Sequence, residues 1–101
     1  MNIYTRLITT SILICLAGIV SAAGDAAAGK EKAALCGACH GADGISPNDL
    51  WPNLKGQKSG YLVKQLKAFK DGSRSDPMMS PMATPLTDED IDNLSAYFSS
   101  L

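Results

Sequence analysis

Cys36-Gly37-Ala38-Cys39-His40 carries two thiols three positions apart and an imidazole directly after the second thiol. This is the C-x-x-C-H pattern of c-type haem attachment. At that separation the two thiols can add across the two vinyl groups on one edge of a haem. A histidine following the second thiol then lies beneath the iron.

His40 is the only histidine of the chain. It supplies the expected proximal imidazole, and no second histidine can bind in cis. The sixth position therefore falls to Met, Lys, water or nothing. A soft, neutral thioether favours Fe(II) over Fe(III), and Met78, Met79 and Met82 cluster in one proline-stiffened stretch opposite the motif. Met82 stands nearest the next helix, where it can pack, and Met78 directly follows Pro77, which turns it outward. Met79 is the preferred ligand, with Met82 and Met78 as alternatives.

Working outward toward the N-terminus, Met1 to Arg6 carries one basic residue, Leu7 to Val20 is almost wholly apolar, and Val20-Ser21-Ala22-Ala23 offers small residues for cleavage. This reads as a secretory signal peptide over residues 1–22, ending at 22 or 23. The apolar run is shorter than the roughly 20 residues a membrane-spanning helix needs. Cys15 leaves with the leader, and no stable membrane insertion is expected afterwards. The remaining domain, 23–101, has ten acidic and eight basic side chains, a balance that gives no attraction to nucleic acid. So small a domain needs a staple, and a covalent haem c with its iron meets that need.

Asp25 is a plausible cap for a helix over Ala26 to Leu35 that delivers Cys36, with Ala26, Gly29 and Ala33 forming a small-residue face. Gly41 to Gly60 is rich in glycine and proline and is expected to wrap the haem as a loop. Within it, Trp51 and Leu54 are expected near the ring. Leu62, Leu66 and Phe69 define a second helix from about Gly60 to Lys70, stopped at Asp71-Gly72. Ser73 to Pro85 contains three prolines and is expected as an ordered loop. Thr87 caps a last helix whose core stripe is Ile91, Leu94, Phe98 and Leu101, with Asp88, Glu89 and Asp90 suited to its dipole. No strand pattern is present, so the fold class is all-α, with three main helices and loops around one haem.

These residues resemble a class I c-type cytochrome of the short bacterial periplasmic kind, and also each half of the dihaem cytochromes c in which the unit is duplicated. The marks are Gly29, Cys36 to Gly41, Trp51-Pro52-Asn53-Leu54-Lys55-Gly56-Gln57, Tyr61-Leu62, Lys70 to Arg74, and Leu86-Thr87-Asp88-Glu89-Asp90-Ile91 through Ala96-Tyr97-Phe98. The resemblance implies the cytochrome c fold, thioether bonds from Cys36 and Cys39, and an axial His40 oriented by the Pro52 carbonyl. It further implies an axial Met79 when the loop is aligned on Leu86, and a haem-binding segment that includes Trp51, Leu54 and Tyr61. Gly29 and Tyr97 match the crossing of the first and last helices.

The expected activity is one-electron transfer by a soluble, monomeric periplasmic carrier in a respiratory or similar chain, not an enzyme, though able to serve as a subunit of one. Its partners are a protein donor and a protein acceptor, docked weakly and partly through Lys55, Lys58, Lys64, Lys67, Lys70 and Arg74. The alternative is a haem-based small-molecule binder or sensor with a displaceable sixth ligand. A thiol-disulfide oxidoreductase fits less well, because its C-x-x-C opens a helix in a βαβ unit. Here the motif closes one.

Overall fold

The computed structural model describes residues 12–14 and 24–101. The expected leader and its Cys15 lie outside the described residues except for 12–14. The described chain forms five helices, α1 Ala26–Lys32, α2 Ala34–His40, α3 Ser59–Asp71, α4 Met79–Ala83 and α5 Asp88–Ser100, and contains no strand.

Asp25 starts α1 as its spacing requires. One carboxylate oxygen accepts from the Ala27 and Ala28 amides at 2.9 and 3.3 Å, satisfying donors that a helix start leaves without partners. The expected single helix over Ala26 to Leu35 is instead two. The chain tightens at Ala33, where the Cys36 amide bonds the Ala33 carbonyl at 2.9 Å, and the helix then resumes through the whole attachment motif to His40. Gly41, at φ 85°, ends it. A Cβ there would sit 1.9 Å from the Ile45 carbonyl oxygen, so the position takes no side chain.

The core is built on α5. Ile91, Leu94 and Phe98 are buried as their spacing predicts, each contributing about 1.5–3 kcal/mol of burial energy. Leu101, expected on the same stripe, is exposed because the helix stops at Ser100. The start of α5 is a reciprocal box: the Asp90 amide donates to Thr87 Oγ1 and the Thr87 amide to Asp90 Oδ2, both at 3.0 Å.

Helices α1 and α3 both pack against α5, and α4 packs against α3. The α1/α5 crossing depends on Gly29, where an added Cβ would lie 1.9 Å from the Asn93 carbonyl oxygen and 2.9 Å from Tyr97 Cβ. Only a missing side chain permits that approach. The Asp25 amide donates to Asn93 Oδ1 at 2.7 Å, and Lys32 pairs with Asp90 at 3.5 Å, fastening the same crossing along its length.

The segment between α2 and α3 is irregular, as expected, yet fixed. The Leu54 and Lys55 amides both donate to the Gly44 carbonyl, at 2.8 and 3.0 Å, and the Ser46 amide donates to Asn53 Oδ1 at 2.7 Å. Two bonds tie it to α5: Tyr97 OH to the Ala42 carbonyl at 3.2 Å and the Gly56 amide to the Phe98 carbonyl at 2.9 Å.

The expected loop from Ser73 to Pro85 differs from its sequence reading, because it contains α4. Pro81 does not break this helix. The first amides of any helix lack internal acceptors, so a proline in the first turn removes no bond. In five residues there is little beyond the first turn.

Candidate functional site

His40 ends α2 and is buried, at 7 % exposure. Its Nδ1 lies 2.8 Å from the Pro52 carbonyl oxygen. A carbonyl can only accept, so Nδ1 carries the hydrogen and Nε2 is left as a bare lone pair. The imidazole is thus oriented, and its one available donor atom is Nε2. This bond joins the motif to the Trp51-Pro52-Asn53-Leu54 stretch, whose Leu54 is half-buried against the core and whose Trp51 is half-buried.

Cys36 and Cys39 are half-buried, and among the described residues neither is in a disulfide. Burial pushes the Cys36 thiol up from its ordinary value. A redox-active C-x-x-C needs the opposite, a thiol lowered so that thiolate is available. The motif sits at the end of a helix rather than at its start, which also disfavours a dithiol role.

Cys36 lines a cleft shared with Lys32, Leu35, Leu66, Met79, Met82, Ala83, Leu86 and Leu94. Only Lys32 in that lining is charged, and it is paired with Asp90. Helix α4 explains the two methionines: Met79 and Met82 are three residues apart and share a face. They differ in burial. Met79 packs against the core, whereas Met82 is 43 % exposed. Met78 is 52 % exposed and is not part of the lining.

The structure thus brings Cys36 and Met79 to one apolar cleft and joins His40 to Pro52. His40 itself is not in the cleft lining. Tyr61, on the first turn of α3, is 50 % exposed, and nothing in its surroundings ties it to the other residues. Sequence reasoning missed Asp76, whose carboxylate accepts from the Met78 and Met79 amides, each at 2.8 Å. The Met79 and then the Met78 amide hold this carboxyl below its ordinary value, with Arg74 adding a smaller pull. The dipeptide Asp76-Pro77 was its signal, a residue whose carboxylate accepts nearby amides placed before a turn-forming proline, two residues ahead of α4.

The donor set fits a haem c. Two thiols at the attachment spacing, an imidazole with Nδ1 engaged and Nε2 left to bind, and a thioether on a separate helix are groups that hold it. Leu35, Leu66, Ala83, Leu86 and Leu94 suit the apolar ring.

The family model described as "Cytochrome c" matches residues 26–101. Cytochrome c4 from Pseudomonas aeruginosa is 49% identical over 94 residues, covering 93% of this chain and 47% of that one. Cytochrome c-554(548) from Halomonas halodenitrificans is 49% identical over 81 residues, covering 77% of this chain and 98% of that one. The crystal structure of reduced recombinant cytochrome c4 from Pseudomonas stutzeri superposes with a TM-score of 0.73 at 48% identity, covering 77% of this chain and 46% of that chain. This chain therefore spans about half the length of the cytochrome c4 chains it matches and nearly all of cytochrome c-554(548). An attachment motif closing a helix, an imidazole held by a proline carbonyl and a family match running from α1 through α5 lead to one conclusion: the chain belongs to the cytochrome c family, whose members hold haem c covalently.

Proposed function

We propose that this chain is a periplasmic one-electron carrier. The observation that carries the reading is a pair of neutral donors on separate elements, His40 with Nδ1 tied to Pro52 and Met79 set in the cleft beside Cys36. When bound, haem c supplies the Fe(III)/Fe(II) couple.

The thiols of Cys36 and Cys39 would hold the group as thioethers, and His40 Nε2 and Met79 would bind its iron. Two donors already positioned by the fold would let the iron change charge with little rearrangement of the protein. The Pro52 carbonyl accepts from Nδ1 and keeps the imidazole oriented, with Nε2 as the ring atom left to bind. Leu66, Leu86 and Leu94 would keep water from a group held in the cleft and so favour its state of lower charge. Trp51, Leu54 and Tyr61 complete the enclosure in this reading.

Docking is assigned to four exposed lysines, Lys55, Lys58, Lys64 and Lys67. Two members of the expected basic set are already engaged: Lys70 Nζ donates to the Leu86 carbonyl, and Arg74 donates to Gln65 and lies over Phe69. The remaining lysines suit acidic surfaces on a donor and an acceptor, met in weak, short-lived encounters by a monomer. Residues 1–22, ending at 22 or 23, act as the export leader, and 23–101 form the working domain. No helix among the described residues is long and apolar enough to cross a membrane.

The test is spectroscopic, on the haem-loaded protein. A far-red charge-transfer band in the oxidised form, with no carbon monoxide binding in the reduced form, is the expected result. Ready carbon monoxide binding overturns it in favour of a small-molecule binder.

A further inference from the structure

We infer that Asp76 is a positioning residue for Met79, its carboxylate fixing the backbone that presents the thioether. The inference rests on the reading of Met79 as a ligand. A methionine side chain has three rotatable bonds and cannot place its own sulfur, so the position must come from the main chain. In α4 the main chain has little support of its own. The helix has five residues, and its N-cap residue Met78 offers no side-chain acceptor. So short a helix does not form unaided.

Asp76 supplies the missing bonds. Its carboxylate accepts from both the Met78 and Met79 amides at 2.8 Å. Its carbonyl accepts from the Ser80 amide at 3.0 Å, and its own amide donates to Ser80 Oγ at 3.0 Å. Met79 therefore lies inside a closed loop of bonds running from Asp76 to Ser80 and back.

That loop is anchored at both ends. Before it, the Arg74 guanidinium lies 4.4 Å over the Phe69 ring and donates to Gln65 Oε1 at 2.6 Å, while the Arg74 amide bonds the Ala68 carbonyl at 3.1 Å. All three contacts are on α3. After it, Thr84 Oγ1 donates to the Ser80 carbonyl at 2.7 Å, and Lys70 of α3 holds the Leu86 carbonyl. The entry and the exit of the methionine segment are thus both fixed to one helix. Asp76 transmits that fixity to residue 79.

The test compares haem-loaded parent, Asp76→Ala, Asp76→Asn, Met79→Ala and Asp43→Ala proteins. Asp43 makes a similar side-chain-to-amide bond to Ile45 in the other loop and serves as the control. Imidazole is titrated into each oxidised protein while the far-red thioether band is followed, because imidazole competes with the methionine for iron. Asp76→Ala is expected to bind imidazole on the order of tenfold more tightly than the parent, because two hydrogen bonds to a carboxylate at the molecular surface are lost. Asp76→Asn, which keeps an acceptor oxygen, should recover most of the difference, and Asp43→Ala should match the parent.

A residue with a merely structural role would lower the unfolding temperature and leave imidazole affinity unmoved. That result overturns the proposal, as does equal imidazole affinity in Asp76→Ala and Asp43→Ala. If Asp76→Ala does not accumulate, Ser80→Ala, which removes only the reciprocal hydroxyl, is expected to tighten imidazole binding two- to threefold, and no change again overturns the proposal. Survival of the band in Met79→Ala overturns the ligand reading and this inference together. Its loss there, beside unmoved imidazole affinity in Asp76→Ala, overturns this inference alone.

Discussion

His40 shows how much chemistry a single bond settles. Because the Pro52 oxygen can only accept, the ring has one tautomer and one free donor atom. The histidine was legible in the sequence from the two thiols ahead of it, since the attachment reaction itself dictates the spacing. The choice of methionine was less legible, because three similar side chains lie within five residues and only their burial separates them. Replacing Met79 by Ala should abolish the far-red band and lower the reduction potential by on the order of 100 mV or more, a modest part of the roughly 0.8 V that axial ligands span. Potentiometry decides it, with Met82→Ala expected to keep the band. A different residue shows a cost. Ser95 is fully buried and its hydroxyl has no hydrogen-bond partner among the described residues. Ser95→Ala should therefore raise stability by about 1 kcal/mol, seen as a higher unfolding temperature. A fall would mean that the hydroxyl is bonded in solution.

Among the elements, α5 was the easiest to read and α4 the hardest, for opposite reasons. In α5 the apolar spacing, the Thr87 cap and the acidic first turn all agree. In α4 the proline content argues against helix, but Pro77 and Pro85 fall outside it and Pro81 lies within its first turn, where a proline removes no bond. The crossing of α1 on α5 was signalled by small residues, and it yields a signed prediction. Gly29→Ala should improve helix propensity by up to about 1 kcal/mol, yet the new methyl would meet the Asn93 backbone at 1.9 Å. Overpacking of that kind costs about 1–3 kcal/mol or more, so net destabilisation is expected in denaturant titration. The α5 cap also sets a pH response. The Thr87 amide, and more weakly Lys32, hold the Asp90 carboxyl below its ordinary value of 3.8. A carboxyl lowered in the folded state stabilises it at all higher pH and loses that effect as pH falls through the folded value. Asp90→Asn should therefore be less stable than the parent at neutral pH, where the carboxylate's contribution is fully present, and should converge on the parent below about pH 4, flattening the acid decline seen by circular dichroism.

At the scale of the whole molecule, the helices were readable because each is written locally, but the path between Gly41 and Lys58 was not, apart from the Pro52 contact with His40 that the family resemblance implied. Its shape comes from partners far away in sequence: Pro52 on His40, Ala42 on Tyr97, Gly56 on Phe98. No window of a few residues contains both ends of such bonds. Surface charge carries the remaining prediction. Converting Lys64 and Lys67 together to Gln should slow electron transfer with an acidic redox partner several-fold at low salt and flatten its dependence on ionic strength. Stopped-flow rates measured across a salt series would show this, and parallel curves for parent and variant would remove these lysines from the docking surface.

The bond from Tyr97 to Ala42 spans 55 positions, and with Gly56 to Phe98 it makes α5 the clasp for a segment synthesised well before it. That segment carries Pro52, whose carbonyl orients His40. Loosening α5 would therefore slacken the imidazole without touching it. The hold on the ring is set by a helix that makes no contact with the ring in this network of bonds, so a change at the end of the chain reaches the motif through the segment between them.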